Sequence, residues 1–65
     1  MEFKDKVIHV RKELILSQQE LADALGVNVA TINRIERGAH KPGFKTLALF
    51  EKFCKAKGIE FGDEK

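Results

Sequence analysis

Three residues, Gly26-Val27-Asn28, are all that separates two stretches that each carry a helix code, and no other feature restricts the possible folds as much. The first stretch starts at Ser17. Ser17 and Glu20 have the spacing of a capping box, in which the hydroxyl accepts from the backbone at Glu20 and the carboxylate returns a bond. Leu16 and Leu21 hold the hydrophobic-staple positions around it. Leu21, Ala22 and Leu25 turn to one side, and Gly26 supplies a left-handed stop. The second stretch begins at once. Asn28 is a good N-cap, Val27 and Ile32 repeat the staple spacing, and the helix is predicted to run from 29 to about Arg37, with Gly38 ending it. Helices joined this closely meet at a sharp angle. Ala22 suits the crossing, because a large side chain there would hold them apart.

The flanking sequence reads as support. Phe3, Val7, Val10 and Leu14 recur at steps of four, three and four, one stripe of an amphipathic helix over 2–14. Arg11 lies at the edge of that stripe, about 40° from Val7, and Ile8 falls off it, half exposed. Residues 39–43 hold His40, Lys41 and the one proline, Pro42, and read as a loop. Gly43 is an acceptable N-cap for a last helix from Phe44 to about Lys57, ended by Gly58. Phe44, Leu47, Phe50 and Cys54 form one apolar stripe of that helix. Leu49, Phe53 and Ala56 form a second on the opposite side. The tail, 58–65, has an Ile59/Phe61 alternation and then charge. The expectation is an all-α bundle, a single domain over 1–65 whose central motif is 18–37.

Composition narrows the chemistry. A chain of 65 residues makes one small domain, burying only about 60% of its unfolded surface. Its hydrophobic fraction of 43% against 34% charged fits a folded globular domain rather than a disordered chain. A single cysteine, Cys54, rules out an intramolecular disulfide or a cysteine metal cage and fits a reducing, cytoplasmic setting. No apolar run approaches the ~20 residues of a membrane span, and the charged N-terminus has no signal-peptide core. There is no Gly-rich phosphate loop and no paired-ligand metal spacing. A dyad of Cys54 with His9 or His40 would need a packed core residue as nucleophile, since Cys54 reads as a small buried hydrophobe. No enzyme, cofactor, metal or small-molecule effector is therefore expected. His9 and His40 read as surface residues. The net charge of +2 does not by itself imply nucleic acid; the placement of the charges matters more.

From Leu16 to Pro42 the chain reads L-S-Q-Q-E-L-A-x-x-L-G-V-N-x-x-T-I-x-R-I-E-R-G-x-x-x-P. This resembles the helix-turn-helix of the Cro and phage-repressor (Xre-type) family, and the resemblance covers roughly Val7 to Cys54. It implies a lambda-repressor-like bundle of four or five helices. The second and third form the helix-turn-helix, with the third as the recognition helix in the major groove. It further implies a transcription regulator, as a rule a repressor, binding double-stranded DNA as a homodimer on a two-fold operator. Three sets of residues carry over. Gln18 matches the glutamine that touches the DNA backbone and nearby base edges. Arg11 and Glu36 match a buried ion pair tying the first helix to the end of the third. Asn28 through Arg37 match the recognition helix and its cap. Two departures stand out. Ile15 sits where the family usually has glycine, so a β-branched residue is expected at positive φ. Residues 59–65 are also short for the fifth helix that often serves dimerisation.

On a helical wheel Ile32 and Ile35 fall on one side of the third helix, and Ala30, Asn33, Arg34 and Arg37 on the other. Ala30 and Val29 suit a thymine methyl, Asn33 a bidentate contact with adenine, and Arg34 a fork onto guanine. Gln18 and Gln19, at a helix N-terminus, suit a phosphate oxygen. Thr31, Arg37, Lys41 and Lys45 flank the face as phosphate candidates. Leu49, Phe53 and Ala56 are the candidate dimer surface, unless Ile59 and Phe61 fold back over them. The rival function is a protein-interaction module on the same fold, such as an antitoxin or coactivator-like partner. The outward face, free of acidic and bulky apolar residues, favours DNA.

Overall fold

A computed structural model of the chain describes residues 2–39 and 41–61. Among the described residues four helices and no strands occur: α1 (Phe3–Leu14), α2 (Gln18–Leu25), α3 (Val29–Glu36) and α4 (Phe44–Ala56). The all-α expectation holds, with small shifts at the ends. α3 stops at Glu36 and α4 at Ala56, each one residue short of the predicted end. His40 and residues 62–65 lie outside the described residues, so the expectations of a surface His40 and a charged tail end fall there.

All four helices end on the same hydrogen-bond plan. The residue after the last turn turns left-handed, and the amide one position further on reaches back to a carbonyl five residues earlier: Leu16 to Arg11, Val27 to Ala22, Ala39 to Arg34 and Ile59 to Cys54. The left-handed residue is glycine at three ends and Ile15 at the first. The positive φ expected of Ile15 is therefore real, at 54°.

Each helix contributes two or three side chains to one core. Val7 and Val10 come from α1, Leu21, Ala22 and Leu25 from α2, Ile32 and Ile35 from α3, and Phe50 and Cys54 from α4. The Phe3 ring meets Phe50 edge-on, with centroids 5.0 Å apart. α3 packs against both α1 and α2, and α4 packs against α2. α3 is thus gripped along its Ile32/Ile35 side. The chain after α4 returns over α1, where the Phe61 ring meets His9 edge-on and lies under the Lys6 ammonium. His9, read as a surface residue, is accordingly half-buried. Ile59 and Phe61 line an open groove with Phe3, Leu47, Phe50 and Cys54, and that groove does not include Leu49, Phe53 or Ala56.

One stripe assignment on α4 needs correction. Phe44 is 87% exposed rather than part of the core stripe. It is the first residue of α4, and helical side chains lean toward the N-terminus, so its ring points past the helix end where nothing covers it. Ala56 is exposed, while Leu49 and Phe53 are half-buried. Cys54 is buried as expected, and that burial pushes its thiol pKa up.

Candidate nucleic-acid interface

The capping box at the start of α2 is complete: Glu20 N donates to Ser17 Oγ at 3.0 Å, and Ser17 N donates to Glu20 Oε1 at 2.8 Å. At the other end Gly26 takes φ 76°. Two residues later Asn28 Oδ1 accepts from Ala30 N at 2.8 Å and starts α3. The connector anticipated from Gly26-Val27-Asn28 therefore exists, and it sets α3 across α2.

With Ile32 and Ile35 buried at 1% and 2% exposure, the opposite side of α3 is fixed outward. Arg34 and Arg37 are exposed, and Ala30, Thr31 and Asn33 are half-buried. Val29 is also half-buried and packs against the core, so less of it is turned outward than of the arginines. Glu36, the one acid in α3, does not face solvent with the arginines. Its side chain is 8% exposed and pairs with Arg11. The exposed side of α3 consequently carries cationic and amide groups without a competing carboxylate.

Arg11 and Glu36 meet through two hydrogen bonds, Nε to Oε2 at 2.6 Å and Nη2 to Oε1 at 2.9 Å. A third N–H of Arg11, on Nη1, donates to the Leu16 carbonyl at 3.1 Å. The guanidinium thereby braces the α1–α2 connector as well as α3. The bonds to Glu36 raise its pKa further, against a smaller opposing effect of burial.

Gln18 departs from the simplest expectation. Its Nε2 donates to Glu36 Oε1 at 3.1 Å, so one of the two amide hydrogens offered to phosphate is already engaged inside the protein. Its Oε1 accepts from Asn33 Nδ2 at 3.5 Å, and Asn33 Oδ1 accepts from Arg37 Nη1 at 3.4 Å. The links of Gln18 to Glu36 and Asn33 are not readable from spacing within one helix, because they arise only where α2 crosses α3, whereas Arg37 and Asn33 stand four residues apart on the third helix and its cap. Gln19 is exposed and donates to Asp23 Oδ1 at 2.9 Å. Lys41 and Lys45 are exposed.

The structure thus brings Gln18, Asn33 and Arg37 into one hydrogen-bonded line beside Glu36. The comparisons agree with this architecture. The family model described as helix-turn-helix matches residues 8–61. An uncharacterized HTH-type transcriptional regulator of Methanothermobacter thermautotrophicus is 42% identical over 50 residues, covering 77% of this chain and 68% of the relative. No solved structure gives a significant match. A match over most of the chain, centred on the two helices and connector described above, means that this protein belongs to the helix-turn-helix family of the Cro/C1 (Xre-like) type.

Proposed function

We propose that this protein is a sequence-specific DNA-binding transcription regulator, acting as a repressor by occupying an operator. One observation carries the reading. α3 is held from below by Ile32, Ile35 and the Arg11–Glu36 pair, while its opposite side offers Ala30, Asn33, Arg34 and Arg37. A helix of this kind fits the major groove, where amide and guanidinium forks read adenine and guanine edges. Asn33 and Arg34 are the proposed base readers, with Ala30 and the exposed edge of Val29 against thymine methyls. Gln18, through its remaining amide hydrogen, Gln19, Asn28, Thr31, Arg37 and Lys41 serve the backbone. The printed name of the Methanothermobacter relative, a transcriptional regulator, supports the same class.

A two-fold operator would require a dimer. The Cα trace measures 27 × 20 × 20 Å, and half-sites of a two-fold operator lie about 34–36 Å apart. One copy cannot reach both. Leu49, Phe53 and Ala56 are the proposed contact, since Ile59 and Phe61 line a groove on the Phe50/Cys54 side that does not include them. A sedimentation series over concentration tests it: a strict monomer at every concentration and on operator DNA would refute the dimer.

The DNA reading is tested on a random-DNA column eluted with salt. Retention at low salt that falls steeply as counterions are released is expected. A protein that passes through unretained would instead favour a protein-interaction module. That second reading draws on Ile15 and Phe44, the two large apolar side chains left exposed among the described residues.

A further inference from the structure

Four side chains form a directed line across the α2–α3 joint: Arg37 donates to Asn33, Asn33 to Gln18, and Gln18 to Glu36. The two links made by Asn33, at 3.4 and 3.5 Å, are long, so their strength does not set the direction of the line. Its ends do. A carboxylate paired to a guanidinium only accepts, and a guanidinium only donates. Glu36 is pinned at one end by two bonds from Arg11, and Arg37 stands at the other. Turning the Gln18 amide around would set its oxygen against Glu36, acceptor to acceptor. Turning the Asn33 amide around would set its nitrogen against Arg37, donor to donor. Only one orientation of both amides satisfies the line.

The geometry points to Glu36 as a positioning residue for base readout. Acting through Gln18, it fixes the Asn33 amide with N–H toward α2 and carbonyl toward Arg37. One hydrogen on Asn33 Nδ2 and one lone pair on Oδ1 remain for a base. They are presented in a set order, and adenine needs that pair, a donor for N7 and an acceptor for the N6 amino group. α3 consequently distinguishes an A·T pair from the same pair reversed, T·A. A freely turning amide would lose that discrimination. This inference rests on the reading of α3 as the groove helix.

Gln18→Met keeps the side-chain length and removes both amide atoms. Binding sites are selected from random DNA with the full chain and with the variant. The full chain is expected to prefer one orientation of one A·T pair by about tenfold, and the variant by less than about twofold. An unchanged preference in a folded variant overturns the relay. Side-chain 15N relaxation of Asn33 in the DNA-free protein gives a readout independent of DNA: an ordered amide in the full chain that becomes mobile in Gln18→Met is expected, and equal mobility in both overturns the relay. Failure of the full chain to select any site would overturn the DNA reading itself and leave the relaxation result to decide the relay.

Discussion

The α1–α2 and α2–α3 connectors are built alike. In each, the left-handed residue donates back to a carbonyl three residues earlier, Ile15 to Lys12 and Gly26 to Asp23. In each, the next amide closes the longer loop, Leu16 to Arg11 at 2.8 Å and Val27 to Ala22 at 3.0 Å. In each, an N-cap side chain then starts the following helix. They differ in the left-handed residue, isoleucine in one and glycine in the other, and in what holds them. Left-handed backbone costs an L-residue about 1–2 kcal/mol, and glycine escapes the cost. The costly connector is the one braced from outside, by Arg11 Nη1 on the Leu16 carbonyl. The lesson is that a connector's geometry is set by the two helices and the groups they lock together. The local residue decides only how much strain that geometry carries.

The largest test removes the brace. Arg11→Ala strands the Glu36 carboxylate and frees the Leu16 carbonyl. A loss of about 3 kcal/mol is expected, at the lower end for a buried pair because Arg11 itself is partly exposed, with a fall in melting temperature of more than about 10 °C. A loss below about 1 kcal/mol would mean that the strained connector stands unaided, contrary to the comparison.

Next comes imposing the strain on the relaxed connector. A Cβ at Gly26 would meet nothing within 4 Å, so Gly26→Ala imposes the left-handed strain without a steric clash. Denaturant titration should show a loss of about 1–2 kcal/mol. The opposite change, Ile15→Gly, should gain a smaller amount, about 0.5–1 kcal/mol, because glycine also loosens the unfolded chain. Ile15 is 87% exposed, so little packing is lost. If Ile15→Gly destabilises the fold, the isoleucine must hold a contact that outweighs its φ.

The smallest effect lies away from both connectors and serves as a control. Burial raises the Cys54 thiol pKa in the folded state. The folded chain therefore keeps this proton where the unfolded chain releases it, and stability should decline as pH rises above the ordinary thiol value of about 8.5. Cys54→Ala should flatten that decline between neutral pH and the onset of lysine titration. A slope equal to that of the original chain would place the alkaline loss elsewhere.

Much of this was legible in the sequence because it is local. The Ser17/Glu20 box, the Asn28 cap and the stop at Gly26 depend on residues a turn apart. Arg11 and Glu36 meet where both helical wheels put them, at the edge of an apolar stripe. What escaped depends on a third body. Phe44 fits its stripe by periodicity but hangs beyond the end of the core. The links from Gln18 to Asn33 and Glu36 exist only where α2 crosses α3, and a wheel drawn for either helix has no place for the other.

Ile15 carries a consequence for how this protein can change. Substitutions on an outward helix that re-aim a DNA reader commonly reduce stability, and a small domain has little in reserve. Ile15 is a strained, solvent-facing residue, and none of the proposed base contacts includes it. Replacing it should release stability without altering what α3 presents. The position acts as a stored mutational allowance, a place where the domain can be made sturdier before its recognition surface is rewritten.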